Sequence, residues 1–249
     1  MSAAVLYDVA AGVATLTLNQ PDNRNALTPA VLNGLGDGLA AAVADSSVRL
    51  VVLTNVGPAF CAGADLSGRA SDVAPRFGLA EVLTAMQDSP KPVVGRIAGH
   101  CMGGGVGLAA ACDLSVAETS VRFGFTEVRI GVAPAIISVV CLPKLRRSDA
   151  MELFLTGERI TASRAADVGL ITACVASLDQ AVSDLVSKLV AGGPSALAAA
   201  KRLVFEIPEM ERADAFARAT EISQGLFASA EASEGMAAFR EKRPPAWIP

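Results

Sequence analysis

Along the first fifth of the chain, apolar positions switch from a period of two to a period near four. Val5 to Val9 and Val13 to Leu18 flank Ala11-Gly12, and the second run alternates from Ala14 on, which predicts a pair of strands around a tight turn. After the polar stretch Asn19 to Leu27, the residues Leu32, Leu35, Leu39 and Val43 recur at helical spacing. Thr28 and Pro29 precede them, so the pattern predicts a helix with Thr28 as N-cap and Pro29 at its first position. Arg49 to Thr54 then reads as a short apolar strand, giving strand, strand, helix, strand.

The next segments follow the same logic. Leu79 to Gln87 is helical in pattern and is stopped by Ser89-Pro90-Lys91-Pro92. Pro92 to Ile97, Cys112 to Ala117, Val121 to Phe123 and Ile171 to Val175 read as strands. Helices are expected from Ala135, from Ser148 to Gly157, from Thr161 to Gly169, and almost without interruption after Leu178. Gly192-Gly193-Pro194 and Ile207-Pro208 divide that last region. The longest apolar run, Ile130 to Leu142, is too short for a membrane span and contains Pro134.

Between the strand ending at Ile97 and the helical run Leu108-Ala109-Ala110-Ala111 lies Ala98-Gly99-His100-Cys101-Met102-Gly103-Gly104-Gly105-Val106-Gly107. A strand that breaks into glycines before a helix leaves unpaired N–H groups facing whatever lies in front, and these favour negative charge. Glycine lets a ligand approach the main chain closely. The stretch is therefore a candidate anion or oxyanion site made of backbone amides; the alternative is a turn needed only for tight packing.

Composition narrows the function classes. With 52% hydrophobic and 18% charged residues, the 249-residue chain can bury a sizeable core. A net charge of −4 leaves no electrostatic footprint for nucleic acid. Lys144, Arg146 and Arg147 form the densest basic cluster and read as a solvated helix entry. Five cysteines with no Cys-x-x-Cys pair suggest reduced thiols in a cytoplasmic protein and argue against zinc. The single histidine, His100, makes a Ser-His-Asp triad or a histidine metal site a poor reading. His100 and Cys101 are adjacent at a strand end and should point to opposite faces, which disfavours a catalytic dyad.

Several segments together resemble the crotonase (enoyl-CoA hydratase/isomerase) superfamily. Phe60-Cys61-Ala62-Gly63-Ala64-Asp65-Leu66 resembles its first signature, Gly99 to Asp113 its second and Thr126 to Pro134 its third. Asn23-Arg24-Asn25-Ala26-Leu27 resembles the loop before the first core helix. Thr156-Gly157-Glu158, Ala165 to Leu170 and Gly235 to Arg243 resemble downstream markers, so the likeness runs through nearly the whole chain. It implies an α/β fold, a spiral of repeated β-β-α units over residues 1–194, followed by a helical trimerisation region over 195–249. It implies an acyl-CoA substrate, a homotrimer or a hexamer built as a dimer of trimers, and no metal or redox cofactor. No nucleic-acid or membrane partner is expected. By the same carry-over, the amides of Ala64 and Gly104 would grip the thioester oxygen and Glu127 would be the acid–base residue. Arg24, Ala26, Leu27, Ala62, Asp65, Leu66 and Gly103 would line the CoA and substrate path, with Asp65 alternatively a helix cap.

One position departs from the family pattern. Two-carboxylate hydratases carry a glutamate three residues after the glycine matched by Gly104; here that position is Gly107. The resemblance therefore supports an enoyl-CoA hydratase first and a Δ3-Δ2-enoyl-CoA isomerase second, with Asp72 or Glu81 as candidates for another acid. Some branches, including hydratases of branched or carboxylated enoyl-CoAs, share the Gly-Gly-Gly-Val-Gly and Thr-Glu-Val-Arg runs. Two other readings compete. Gly105-x-Gly107-x-x-Ala110, with Glu127 downstream, loosely fits a dinucleotide fingerprint, and loss of the second glutamate would also suit a catalytically inactive module of the same fold.

Overall fold

The computed structural model describes residues 3–68 and 72–248. Strands β1 (Val5–Ala10) and β2 (Val13–Leu18) form an antiparallel hairpin with Ala10 opposite Val13. Its two turn residues, Ala11 and Gly12, have φ of 48° and 76°, the left-handed pair that matches the twist of a two-residue hairpin. On β2, Ala14, Leu16 and Leu18 face the core.

Helix α1 (Pro29–Ala44) starts as its sequence predicts, with Thr28 Oγ1 accepting from Val31 N at 3.3 Å. Its buried face is Val31, Leu35, Leu39 and Ala42, with Leu32 partly buried; Val43 is 40% exposed. A strict spacing of four drifts around a 3.6-residue helix, and by the third step it has left the core.

The chain then winds in three similar turns. Strand β3 (Leu50–Asn55) leads to β4 (Ala59–Cys61) and helix α2 (Leu79–Asp88). Strand β5 (Val93–Ile97) leads to β6 (His100–Met102) and helix α3 (Gly104–Ala111). Strand β7 (Leu114–Glu118) leads to β8 (Arg122–Gly124), a 3-10 turn over Thr126–Ile130 and helix α4 (Ala135–Cys141). Each turn adds one parallel strand to each of two sheets. After α5 (Arg147–Thr156), β9 (Arg159–Thr161), α6 (Ala162–Asp167) and β10 (Ala173–Val175), the larger sheet has the order β1-β2-β3-β5-β7-β10 and the smaller β4-β6-β8-β9. This is the expected spiral of β-β-α units.

Helices α7 (Leu178–Ala191), α8 (Pro194–Glu206), α9 (Arg212–Phe227) and α10 (Ala230–Glu241) complete the chain. Among the described residues no helix is long and apolar enough to cross a membrane.

Four local expectations change. The glycine helix begins at Gly104 rather than Leu108, so the glycines form its first turn. Helix α5 starts at Arg147, with Arg146 in place of Ser148 at the N-cap. The expected strands at Cys112 to Ala117 and Ile171 to Val175 begin two residues later. Strands β4, β6 and β9 were not anticipated, because three residues are too few to display an alternation.

Candidate active site

Three segments that are distant in sequence meet at the ends of β4 and β6. The buried Asn25 (φ 53°) ties the first to the second: its Nδ2 donates to Val56 O at 3.0 Å and to Ala59 O at 2.8 Å, while its Oδ1 accepts from Gln20 N at 2.7 Å. Ala62 N donates to Arg24 O at 3.0 Å, and Leu27 N to Gly63 O at 2.8 Å. These bonds set Arg24, Ala26 and Leu27 alongside Ala62, Ala64, Asp65 and Leu66. The third segment meets the second at Gly63, whose φ is 88°; a Cβ there would stand 2.9 Å from Met102 O and 3.3 Å from Gly104 N. Ala64 and Gly104 thus belong to adjoining backbone segments. Among the described residues neither of their amides donates to a backbone carbonyl outside the regular elements.

The glycines at the start of α3 have separate roles. Gly103 alone in the run has a positive φ, 52°, with its N donating to Gly124 O at 2.9 Å. Side chains at the other positions would collide with neighbours: at Gly99 with the backbone of Ala59 and Phe60, at Gly104 with Leu27, at Gly105 with Cys61 O, and at Gly107 with Ile137 Cγ2. Tight packing accounts for these four, and Gly103 is the one held by its backbone angle. Because Gly105 is closed by Cys61 and Gly107 by Ile137, no diphosphate cradle is left for a dinucleotide.

Glu127 lies on the 3-10 turn after β8. Phe125, which packs on Phe154 with ring centroids 4.3 Å apart, anchors one side of that turn, and Gly131 (φ 81°) ends it. The Glu127 carboxyl sits over the glycine segment: a Cβ on Gly103 would be 3.0 Å from Glu127 Oε1. Among the described residues Glu127 Oε2 is buried without a hydrogen-bond partner. Burial pushes its pKa above the ordinary carboxylate value, and a hydrogen bond from its own backbone N–H offsets part of the rise. Nearby on α4, burial pushes the Cys141 thiol up to about 12, and the Glu127 charge adds to the rise.

The other candidate groups have different tasks. Glu81 Oε2 accepts from Gly78 N at 2.8 Å and caps α2, while Asp72 is exposed. Asp65 Oδ1 accepts from Ser67 N at 2.9 Å, a local turn rather than a helix cap. His100 is exposed, with Nδ1 accepting from Arg122 N at 3.1 Å, whereas Cys101 is fully buried on the opposite face. Burial holds the Cys101 thiol well above its ordinary value.

The sequence matches the family described as enoyl-CoA hydratase/isomerase over residues 8–248. A 2,3-dehydroadipyl-CoA hydratase of Escherichia coli is 34% identical, covering 94% of this chain and 94% of its own. The chain belongs to the enoyl-CoA hydratase/isomerase family. It is an enzyme of the crotonase superfamily, and solved structures agree. A Mycobacterium smegmatis enoyl-CoA hydratase is 35% identical with a TM-score of 0.90, covering 99% of each chain. A Mycobacterium avium enoyl-CoA hydratase is 43% identical with a TM-score of 0.75, covering 99% of this chain and 100% of its own.

Two residues escaped the sequence reading. Asn25 stood in the resembling loop as one more polar residue; its burial depends on pairing with the distant Val56 and Ala59. Ile137 fills the space next to Gly107, and its only sequence signal was an apolar helix with no evident partner.

Proposed function

We propose that this enzyme adds water to a 2-enoyl-CoA, with the amides of Ala64 and Gly104 gripping the thioester oxygen and Glu127 moving the proton. The observation that carries the reading is the unpartnered, buried Glu127 carboxyl above the Gly103 turn, beside the first amides of α3. Water attacks the β-carbon as Glu127 takes its proton, and the π electrons move onto the thioester oxygen as an enolate. The same carboxyl then returns a proton to the α-carbon, completing the addition of one water. Two fixed amide dipoles favour the enolate, and each such donor is worth roughly 10²–10³ in rate. A raised pKa makes one carboxyl serviceable as both base and acid near neutral pH.

Gly107 with Ile137 supports a mechanism that uses a single carboxylate, since the neighbouring turn of α3 presents an apolar contact where two-carboxylate relatives carry an acid. No other cofactor enters this scheme; coenzyme A is part of the substrate. Arg24, Ala26, Leu27, Ala62, Asp65, Leu66 and Gly103 would form the substrate path. Exposed Phe216, Phe227, Met236 and Phe239 support assembly of trimers or hexamers through residues 195–249. Leu197 and Leu203 are partly buried within the chain and contribute less.

The test is turnover of a panel of trans-2-enoyl-CoA thioesters of varied length, branching and terminal group, with a 3-enoyl-CoA alongside. Hydration of at least one 2-enoyl-CoA is expected. Conversion of the 3-enoyl-CoA with no hydration across the panel would replace the reading by double-bond isomerisation. Binding of NADH without binding of any acyl-CoA would overturn both.

A further inference from the structure

The Glu127 turn also borders a pocket that the chemistry above leaves unused. It has a volume of about 590 Å³ and is lined by Leu66, Ile130, Arg129, Glu158 and Arg159 among others. Thr126, beside Glu127 in the chain, also lines it, and Leu66 is two residues from Ala64, so the pocket opens next to the cleft. Arg129 Nε donates to Gly157 O at 3.0 Å, which fixes the guanidinium against the wall. Among the described residues its terminal nitrogens have no acceptor, and the Arg159 guanidinium has no hydrogen-bond or ion-pair partner. In a chain with net charge −4, two unpaired guanidinium groups on one pocket are a local excess of positive charge.

We propose that this pocket takes the nucleotide end of the substrate's coenzyme A, with Arg129 and Arg159 holding its phosphates. The proposal rests on the acyl-CoA reading above. A plain enoyl chain carries no charge, whereas coenzyme A carries phosphates that match guanidinium donors in geometry and charge. Glu158 on the same wall argues against a purely anionic ligand; the exocyclic amine of adenine supplies a donor for it. Leu66 and Ile130, 70% and 56% exposed, offer aliphatic surface to the face of the base. The volume falls in the range of small-molecule and cofactor sites, about 300–1,000 Å³.

Crotonyl-CoA and the crotonyl thioester of pantetheine carry the same reacting atoms, and the latter lacks the nucleotide. Arg159→Gln should narrow the enzyme's preference for crotonyl-CoA by about tenfold, mainly through KM, and Arg159→Lys should retain most of that preference because it keeps the charge. Arg129→Gln should act in the same direction. Calorimetric titration with adenosine 3′,5′-bisphosphate reads the pocket without turnover, so it separates failure of this proposal from failure of the hydratase reading. Weaker binding to Arg159→Gln than to the wild type supports the pocket even if no enoyl-CoA is hydrated. Absence of binding to the wild type at millimolar ligand overturns it. So does an unchanged preference in both variants. A loss confined to a substrate with a terminal carboxylate, such as glutaconyl-CoA, also overturns it and assigns the arginines to the acyl end.

Discussion

Glu127 and Asp149 are carboxylates on neighbouring parts of the fold with opposite surroundings. Asp149, on α5, is 4% exposed and is held by Arg146 Nε at 2.6 Å and Arg164 Nη2 at 2.9 Å. The Arg146 bond, with support from Arg164, keeps its pKa below the ordinary value despite burial. Glu127 has no such cation, and burial drives its pKa upward. Asp113 lies between them: Lys201 Nζ at 2.9 Å and Val93 N at 2.7 Å meet its carboxyl, yet burial still outweighs them and raises its pKa. The contrast teaches that a paired carboxylate here is part of the scaffold, while the unpaired one is left able to exchange a proton.

The largest expected effect is on rate. Glu127→Gln should lower hydration by about 10²–10⁴-fold, because the amide cannot exchange a proton. Its melting temperature should stay level or rise. A folded-state pKa above the unfolded one means that stability is full at low pH and is lost as pH rises through the folded pKa. Removing the charge therefore removes a cost at neutral pH. Turnover within a few-fold of wild type would end the contrast between the acids.

Next in size is the Asp113–Lys201 pair, which ties α8 to the end of α3 and is shielded at both partners. Lys201→Met should cost about 3–5 kcal/mol in denaturant titration by stranding a buried carboxylate. Lys201→Met with Asp113→Asn should recover part of that loss. The catalytic constant per folded molecule should change little in either.

A smaller loss is expected for Gly107→Glu, about 1–3 kcal/mol from overpacking against Ile137, with no gain in hydration. Combining it with Ile137→Gly should relieve the clash and raise hydration if a second carboxylate then reaches the cleft. The smallest change should follow Arg164→Gln. The lowered pKa of Asp149 stabilises the fold above its unfolded pKa, and that contribution is lost as pH falls through the folded one. The variant should flatten the acid side of the stability profile; an unchanged profile would mean that Arg146 alone holds Asp149.

Much of this architecture is legible in the residues themselves. Thr28-Pro29 marks the start of α1, Ala11-Gly12 the hairpin, and Gly192-Gly193-Pro194 the break before α8, because caps, turns and helix breaks are local chemistry. The motif resemblance also brought Ala64, Gly104 and Glu127 into consideration, and the fold brings their segments together. What stayed hidden depends on contacts between distant segments. The three-residue strands β4 and β6 have no period of their own and exist because Ala59 pairs with His100. The burial of Asn25 and the fit of Ile137 against Gly107 are likewise set by tertiary packing. Glu81 looked like a spare acid until its bond to Gly78 N showed it to be a cap.

The most direct test of the central claim is the pH dependence of kcat/KM for hydration of the best 2-enoyl-CoA, in the wild type and in Glu127→Gln. A single unpartnered carboxyl acting as base predicts an acid limb with an apparent pKa above the ordinary glutamate value of 4.5, and loss of that limb from the residual activity of the variant. An acid limb at or below that value, or one that survives unchanged in the variant, would contradict the assignment of the proton transfer to Glu127.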